Sequence, residues 1–191
     1  MTKLIPSLIA SLLLASSINV QAQEQEHAQE VPESIKHFTV GVGTYALVVA
    51  NDSSYYDDDE LAGFGVSAMY SFNDNFAVKG QYYSLEHDDF SSLEDTGFDF
   101  VGYFGTGLAT EGFKAYIGGG LFNESWKMTG FSKGFSGLQL NGGIGYSWEV
   151  VALDLVLGIR DAGDYKDFAA SQGISLDPSA VSSSLTISAR F

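Results

Sequence analysis

The side chains that could act as a nucleophile and a general base are few in this chain. It has no cysteine and three histidines, His27, His37 and His87. Only His87, which has Ser84 and Glu86 close by in sequence, is predicted to lie at the outer end of a strand. In an extended strand Ser84 and Glu86 would point to one side and His87 to the other, so a Ser–His–carboxylate triad does not form there. The sequence predicts no catalytic residue.

Carboxylates that could bind a cation are concentrated in two short segments. The first holds Asp57, Asp58, Asp59 and Glu60, and the second spans residues 88–95. Clustered carboxylates can collect Ca²⁺ or Mg²⁺, but neither segment has the Asp-x-Asp-x-Asp-Gly spacing of a calcium loop. The pattern favours solvated loops. We expect no cofactor, and keep the four residues of the first segment as the only metal candidates.

Composition excludes several classes of protein. The chain has 191 residues, enough for one domain, and is 45% hydrophobic but only 17% charged. No apolar run reaches the roughly 20 residues that a transmembrane helix needs. A formal charge of −15 argues against a nucleic-acid partner, since phosphates require a basic surface.

The first 36 residues differ from the rest. Residues 1–22 contain Lys3, an apolar stretch and the small-x-small motif Val20-Gln21-Ala22, which together predict a secretory signal peptide cleaved after Ala22. Residues 23–36 are polar and lack a period of 2 or 3.6, which predicts a flexible periplasmic leader.

From residue 37 onward, apolar and polar residues alternate in short segments, the period of two typical of β-strands. In the last segment the apolar face consists of Val181, Leu185, Ile187, Ala189 and Phe191, whereas serine, threonine and arginine occupy the other face. Eight strands are predicted, at residues 37–50, 61–72, 76–87, 97–108, 113–126, 135–148, 151–160 and 181–191. Segments of about ten residues or more suffice to cross a membrane when tilted.

The connections alternate between long and short, as in outer-membrane barrels with long outside loops and short periplasmic turns. The longer connections are residues 51–60, 88–96, 127–134 and 161–180, and the shorter ones are 73–75, 109–112 and 149–150. Lipid offers no hydrogen-bond partner to a sheet edge, so the last strand must pair with the first. We therefore predict an all-β fold, an eight-stranded antiparallel up-and-down transmembrane β-barrel over residues 37–191.

Aromatic residues flank the predicted turns, where they would form girdles at the two membrane interfaces. Those near the periplasmic ends are Phe72, Phe76, Phe113, Trp148 and Phe191, and those near the outer ends are Phe90, Phe98 and Trp126.

Charged residues occur on the faces that would point into the barrel. We predict that Lys79, Asp99, Asp154 and Arg160 lie deep and pair in a network that fills the lumen, because a lone buried charge is too costly. Lys114, Glu124 and Arg190 are expected nearer the ends, at the water-exposed rims.

The segment Leu140-Asn141-Gly142-Gly143-Ile144-Gly145-Tyr146, followed by a brief turn and Val151-Ala152-Leu153-Asp154-Leu155, resembles the penultimate hairpin of small eight-stranded outer-membrane proteins of the OmpX and OmpA-barrel type. The row Leu185, Ile187, Ala189 and Phe191 resembles the C-terminal signal that their assembly machinery reads, although it lacks the Gly-Tyr-Arg-Phe ending of many members.

This resemblance implies export to the outer membrane of a Gram-negative cell. It implies contact with outer-membrane lipid and lipopolysaccharide, the barrel-assembly machinery and periplasmic chaperones as partners, and an outer ligand that is unknown. The expected role is non-enzymatic, either structural or in surface interaction, such as adhesion to a host or envelope integrity. The alternatives are a narrow channel or porin-like transporter, a soluble exported β-protein, and a lipid-A enzyme, whose His-x-Ser motif is absent at His37 and His87.

Overall fold

The computed structural model describes residues 35–51, 58–87, 93–128, 130–175 and 177–191. The predicted signal peptide, and the predicted leader up to residue 34, lie outside these residues. No helix in the described part of the chain is long and apolar enough to cross a membrane.

Eight antiparallel strands form a closed barrel in which each strand pairs with its neighbours in sequence and β8 pairs with β1. This confirms the predicted up-and-down topology. The strands are β1 (Phe38–Ala50), β2 (Asp59–Ser71), β3 (Phe76–His87), β4 (Glu94–Thr106), β5 (Gly112–Met128), β6 (Phe131–Ser147), β7 (Val151–Arg160) and β8 (Ser179–Arg190), and one helix, α1 (Gly163–Ser171), lies between β7 and β8. We call the end where β1 begins and β8 ends the inner end, and the opposite end the outer end.

The apolar face of every strand points outward, which is the inverse of a water-soluble protein. Leu140 on β6 is 71% exposed and Ile117 on β5 is 68% exposed, whereas Thr186 and Ser188 on β8 are buried inside. Successive side chains of a strand point to opposite sides, so the alternation in the sequence directly determines which residues face outward. A surface of this kind is stable when it contacts hydrocarbon rather than water.

The apolar band ends at one level on the outer half of the barrel. Above that level the outward positions of β3 to β6 become polar while the strands continue. The change from apolar to polar falls between Tyr82 and Ser84 on β3, between Phe98 and Thr96 on β4, between Leu121 and Asn123 on β5, and between Leu138 and Ser136 on β6. The upper parts of these strands therefore extend beyond the apolar band.

Aromatic residues ring the inner end. Phe72, Phe76, Phe113, Trp148 and Phe191 all face outward, as the sequence predicts. The prediction for Trp126 is wrong, because this residue has the inward parity of β5 and is buried. Phe90 lies outside the described residues.

Two predicted outer connections also need correction. Residues 127–134 are not a long loop, because β5 and β6 continue as paired strands up to Met128 and Phe131. The exposed Ser and Lys side chains of this hairpin give it a loop-like composition. The last connection contains helix α1. The mixed composition of this segment shows no helical periodicity, so the sequence does not predict the helix.

Asp74 joins two neighbouring turns at the inner end. Its carboxylate accepts hydrogen bonds from the backbone N–H groups of Gly107 (3.0 Å), Ala109 (3.3 Å) and Thr110 (3.2 Å), and from the Thr110 hydroxyl (2.7 Å). Desolvation by partial burial raises the pKa of Asp74, but these hydrogen bonds to the charged form outweigh it and hold the pKa below its ordinary value.

We expect Asp74→Asn to lower the free energy of unfolding by about 1 kcal/mol at pH 7, because a partly exposed set of charge-assisted hydrogen bonds is lost. The folded-state pKa lies below the unfolded value of about 3.9. The difference between the two proteins is therefore complete well above pH 3.9, shrinks as the pH falls through that value, and is gone below the folded-state pKa. Denaturant unfolding in lipid vesicles over a pH series measures it.

Asp167→Asn, on the exposed side of α1, is the matched control and should leave the free energy of unfolding unchanged at every pH. If Asp74→Asn lowers the free energy of unfolding by as much at pH 2 as at pH 7, the charge of Asp74 is not the cause of the loss.

Candidate functional site

The barrel interior is filled by its own side chains, and its charged residues lie among two apolar clusters. The inner cluster contains Met69, Ala77, Val101, Tyr103, Leu108, Tyr116 and Val156. The outer cluster contains Tyr45, Leu47, Val49, Leu61, Tyr83, Leu85, Leu93, Phe122, Trp126, Phe135, Tyr165 and Ala180. An eight-stranded barrel has room for little else.

Arg160, near the outer end of β7, is the centre of the larger charge cluster. Its guanidinium donates to Asp99 (2.9 Å), to the Tyr45 hydroxyl (2.6 Å) and to Glu124. Its carbon Cζ lies 4.7 Å from the centre of the Phe122 ring, close enough for a cation–π contact. The structure thus brings together two of the four predicted interior residues, Asp99 and Arg160.

Glu124 is the second centre, and its predicted place at the rim is wrong. Its side chain is completely buried and accepts four hydrogen bonds. The donors are the Tyr83 hydroxyl (3.0 Å), Trp126 Nε1 (3.0 Å), the Tyr165 hydroxyl (2.6 Å) and Arg160. Because β5 continues to Met128, Glu124 lies below the mouth rather than at it.

A second ion pair lies in the inner half of the barrel. Lys114 Nζ donates to Asp154 at 2.8 Å, and the Tyr116 hydroxyl donates to the other oxygen of the same carboxylate at 2.7 Å. Lys114 is 1% exposed, so its predicted rim position is also wrong. Asp154 therefore pairs with a residue outside the four that the sequence predicts to interact.

Lys79 lies between the two charge clusters. It is buried, its nearest opposite charges are Asp154 and Asp99, and within the described residues it forms no direct ion pair. It lines a cavity of about 10 Å³ that Gln81 and Ser182 also line. A cavity of this size is near the minimum for one water molecule, so this layer offers no room for a substrate.

Arg190 lies at the inner end, as the sequence predicts, but it is buried there rather than exposed to water. Its guanidinium donates to the carbonyl oxygens of Ala109 (2.9 Å), Thr110 (2.8 Å) and Trp148. It thereby ties β8 to the β4–β5 and β6–β7 turns.

The residues around His87 and the weak metal candidates of the first acidic segment do not converge on one site. His87 is buried inside with Nε2 3.5 Å from Asp59, whereas Ser84 and Glu86 face outward. Asp58 accepts a hydrogen bond from the Asn51 backbone at 2.8 Å. Asp57 lies outside the described residues, and Glu60 sits on β2. Among the side chains that the structure describes, no group of three His, Asp or Glu could hold a metal ion.

Sequence reasoning missed several members of the Arg160 cluster. Tyr45 and Tyr83 alternate with outward residues on β1 and β3, so their parity alone could have placed them inside. Tyr165 could not be found this way, because it comes from the helix in the last connection. The arrangement holds charges in place, and beside it the described side chains leave a cavity of only about 10 Å³.

We expect Arg160→Met to lower the free energy of unfolding by about 3–5 kcal/mol, because Glu124 and Asp99 would remain buried without their cation. Denaturant unfolding in lipid vesicles measures this. Adding Glu124→Gln and Asp99→Asn to the same chain should recover part of the loss. Lys166→Met, which removes the exposed ion pair with Asp177, is the control and should change little. Equal stabilities for Arg160→Met and the wild type would contradict the assigned role of the cluster.

Comparison with known proteins supports the same architecture. No protein-family model matches the chain, and no curated protein matches it. Solved structures do match. Ail, the attachment invasion locus protein of Yersinia pestis, is 16% identical with a TM-score of 0.55, covering 82% of this chain and 99% of Ail. Neisserial surface protein A is 16% identical with a TM-score of 0.57, covering 81% of this chain and 97% of that protein.

The outer membrane protein OprG from Pseudomonas aeruginosa is 12% identical with a TM-score of 0.53, covering 83% of this chain and 98% of OprG. The agreement extends over nearly the whole of each solved chain. Together with strand order, closure and the outward apolar band, it shows that this chain has the fold of the eight-stranded outer-membrane β-barrels.

Proposed function

We propose that this protein is a non-enzymatic integral protein of the outer membrane whose role is surface interaction, carried by its outer end. The observation that supports this most strongly is the filled interior. Arg160, Glu124 and the two apolar clusters occupy the lumen, and this filling, in the part of the barrel that the structure describes, opposes the passage of substrates and solutes. The accessible polar chemistry is then on the outer strand extensions and on α1.

The outer end has a distinct chemistry of its own. The strands β5 and β6 extend beyond the apolar band and carry exposed polar residues, and α1 adds the exposed carboxylate Asp167. Long connections on a rigid scaffold are where recognition is usually located. Ail, which has the same fold, is named for attachment and invasion. Adhesion is therefore the form of surface interaction that we propose first, with envelope integrity as the alternative.

The proposal includes location and partners. The inner end faces the periplasm, the apolar band contacts outer-membrane lipid and lipopolysaccharide, and the signal peptide of residues 1–22 directs export. Leu185, Ile187 and Phe191 face outward in one row with Ala189, as a signal on the last strand requires. We propose that the barrel-assembly machinery reads this row after periplasmic chaperones deliver the chain.

The filled interior counts against the narrow channel and the lipid-A enzyme. A channel needs a continuous polar path, whereas aromatic rings stack across the outer half, for example Tyr45 on Tyr83 at 4.3 Å between ring centres. A hydrolase needs a base beside a nucleophile, and His87 lies on the opposite face of β3 from Ser84.

Cell adhesion tests the proposal with a matched pair of charge reversals. Cells that express the wild type should bind an epithelial monolayer more than cells with an empty vector. Asp167→Lys, on the exposed outer surface, should change the number of bound cells severalfold. Glu149→Lys, in an exposed turn at the inner end, should leave binding as in the wild type.

The amount of each variant at the cell surface is measured with a protease-accessible epitope and matched before the numbers of bound cells are compared. Binding no greater than the empty vector would contradict adhesion. An equal effect of the inner and outer reversals would contradict the assignment of the role to the outer end.

A further inference from the structure

Helix α1 lies at the outer end of the barrel and inserts Tyr165 into the outer cluster. Tyr165 is the buried residue of the helix, and its ring lies on Phe135 with 4.6 Å between the ring centres. Its hydroxyl donates to Glu124 at 2.6 Å. Phe168 adds a contact with Phe135 at 5.8 Å. We call α1, with these two aromatic side chains, the plug.

The plug has little stability of its own. The helix has nine residues, its N-cap residue Ala162 makes no side-chain capping bond, and its last turn carries no basic residue. Isolated helices of this length are unstable in water. The plug is therefore held by its few contacts with the mouth, and these can open while the barrel stays folded.

Asp95 lies in the same part of the interior and has no adequate partner. It is on β4, opposite Trp126 of β5 and Leu85 of β3, and it is completely buried. Ser125 provides a nearby backbone N–H, but within the described residues neither carboxylate oxygen of Asp95 forms a regular hydrogen bond. Burying an ionised carboxylate without hydrogen-bond partners costs far more free energy than burying the neutral carboxylic acid.

The neighbouring groups do not compensate a charge on Asp95. Within the described residues, the titratable and charged side chains that face this part of the interior are Tyr45 on β1, Asp59 on β2, Tyr83 and His87 on β3, Asp99 on β4, Glu124 on β5, Lys133 on β6, Arg160 on β7 and Tyr165 on α1. Lys133 lies over the rings of Phe135 and Phe168. Arg160 is engaged by Asp99 and Glu124, and His87 lies against Asp59. Three carboxyl groups thus share one guanidinium, so Asp95 is neutral in the closed barrel.

We propose that α1 is a releasable plug of the outer mouth and that ionisation of Asp95 releases it. The ionised carboxylate needs water, and the outer mouth, which the plug occupies, is its shortest path to water. Ionised Asp95 also repels Glu124, the residue that holds Tyr165. The negative charge therefore disfavours the closed mouth through both desolvation and repulsion.

The direction of the pH dependence follows from the protonation states. In the closed barrel Asp95 carries its proton, and in the open barrel it is solvated and ionises as an ordinary aspartate, near pH 3.9. Release of the plug is therefore accompanied by the loss of one proton from Asp95, so rising pH favours the open mouth. The open-to-closed ratio grows by up to about tenfold per pH unit until Asp95 ionises in the closed barrel as well.

Thiol labelling of the full chain in phosphatidylcholine vesicles tests this, because the protein has no cysteine of its own. Val49→Cys places one thiol in the buried outer cluster to which Tyr165 of the plug also belongs. Ser84→Cys, on the exposed outer face above the apolar band, is the reference for the reagent. The rate for position 49, divided by the reference rate, should rise at least tenfold from pH 5 to pH 9.

Asp95→Asn in the Val49→Cys chain should abolish the rise and keep the protected rate at every pH. His87→Gln should keep the rise, since Asp95 is unchanged in this variant. Gel mobility before and after boiling verifies that each variant is folded.

The proposal is overturned if the wild-type ratio is unchanged between pH 5 and pH 9. It is also overturned if Asp95→Asn retains the rise or if His87→Gln removes it. The wild-type pH series decides the question without any change at Asp95. Adhesion is not measured here, so the proposed surface role and the plug can fail separately.

Discussion

A β-sheet surrounded by hydrocarbon cannot leave its edges open, and the rest of this structure depends on that constraint. Each unpaired backbone group in lipid costs several kcal/mol, so β8 pairs with β1 along most of its length. Closing eight strands leaves an interior just wide enough for side chains. Once the sheet is closed, charged residues on inward positions have to find partners inside that narrow space, and within the described residues only Lys79 and Asp95 lack a direct one.

The interior satisfies this requirement in layers. Arg160 bridges Asp99 and Glu124 in the outer half, and Lys114 pairs with Asp154 in the inner half. Aromatic hydroxyls supply the remaining donors, as Tyr45, Tyr83, Tyr116 and Tyr165 each donate to one of these carboxylates. The same contacts that satisfy the buried charges fill the lumen, which is why the proposed function is placed on the outer end.

Alternation along the chain predicts which way a side chain points, but it does not predict how far a strand continues. β7 has the predicted bounds because its outward side chains are apolar up to Ile159. The tops of β5 and β6 have polar outward residues such as Ser125 and Ser132, and in sequence these look like a loop. Glu124 was misplaced for the same reason, since its depth depends on the length of β5.

The pattern of each single strand also does not predict which interior charges pair with each other. Lys114 and Asp154 meet because β5, β6 and β7 pair in one particular register, with Lys114 opposite Gly145 and Gly145 opposite Asp154. Sequence parity places both residues inside the barrel but leaves their heights open. Tyr165 reaches Glu124 from a connection with no periodic pattern, so only the folded chain shows that α1 packs onto the outer cluster.

The central claim is that this barrel is built inside out, with its apolar band in lipid and its charges within. Lysine substitutions on the outward face of β6 test it most directly. In lipid vesicles, Ile144→Lys, near the middle of the band, should lower the free energy of unfolding by about 2–4 kcal/mol. Ser132→Lys, on the same face above the band, should change it by less than about 1 kcal/mol. Equal effects at the two positions, or no effect at Ile144, would contradict the account.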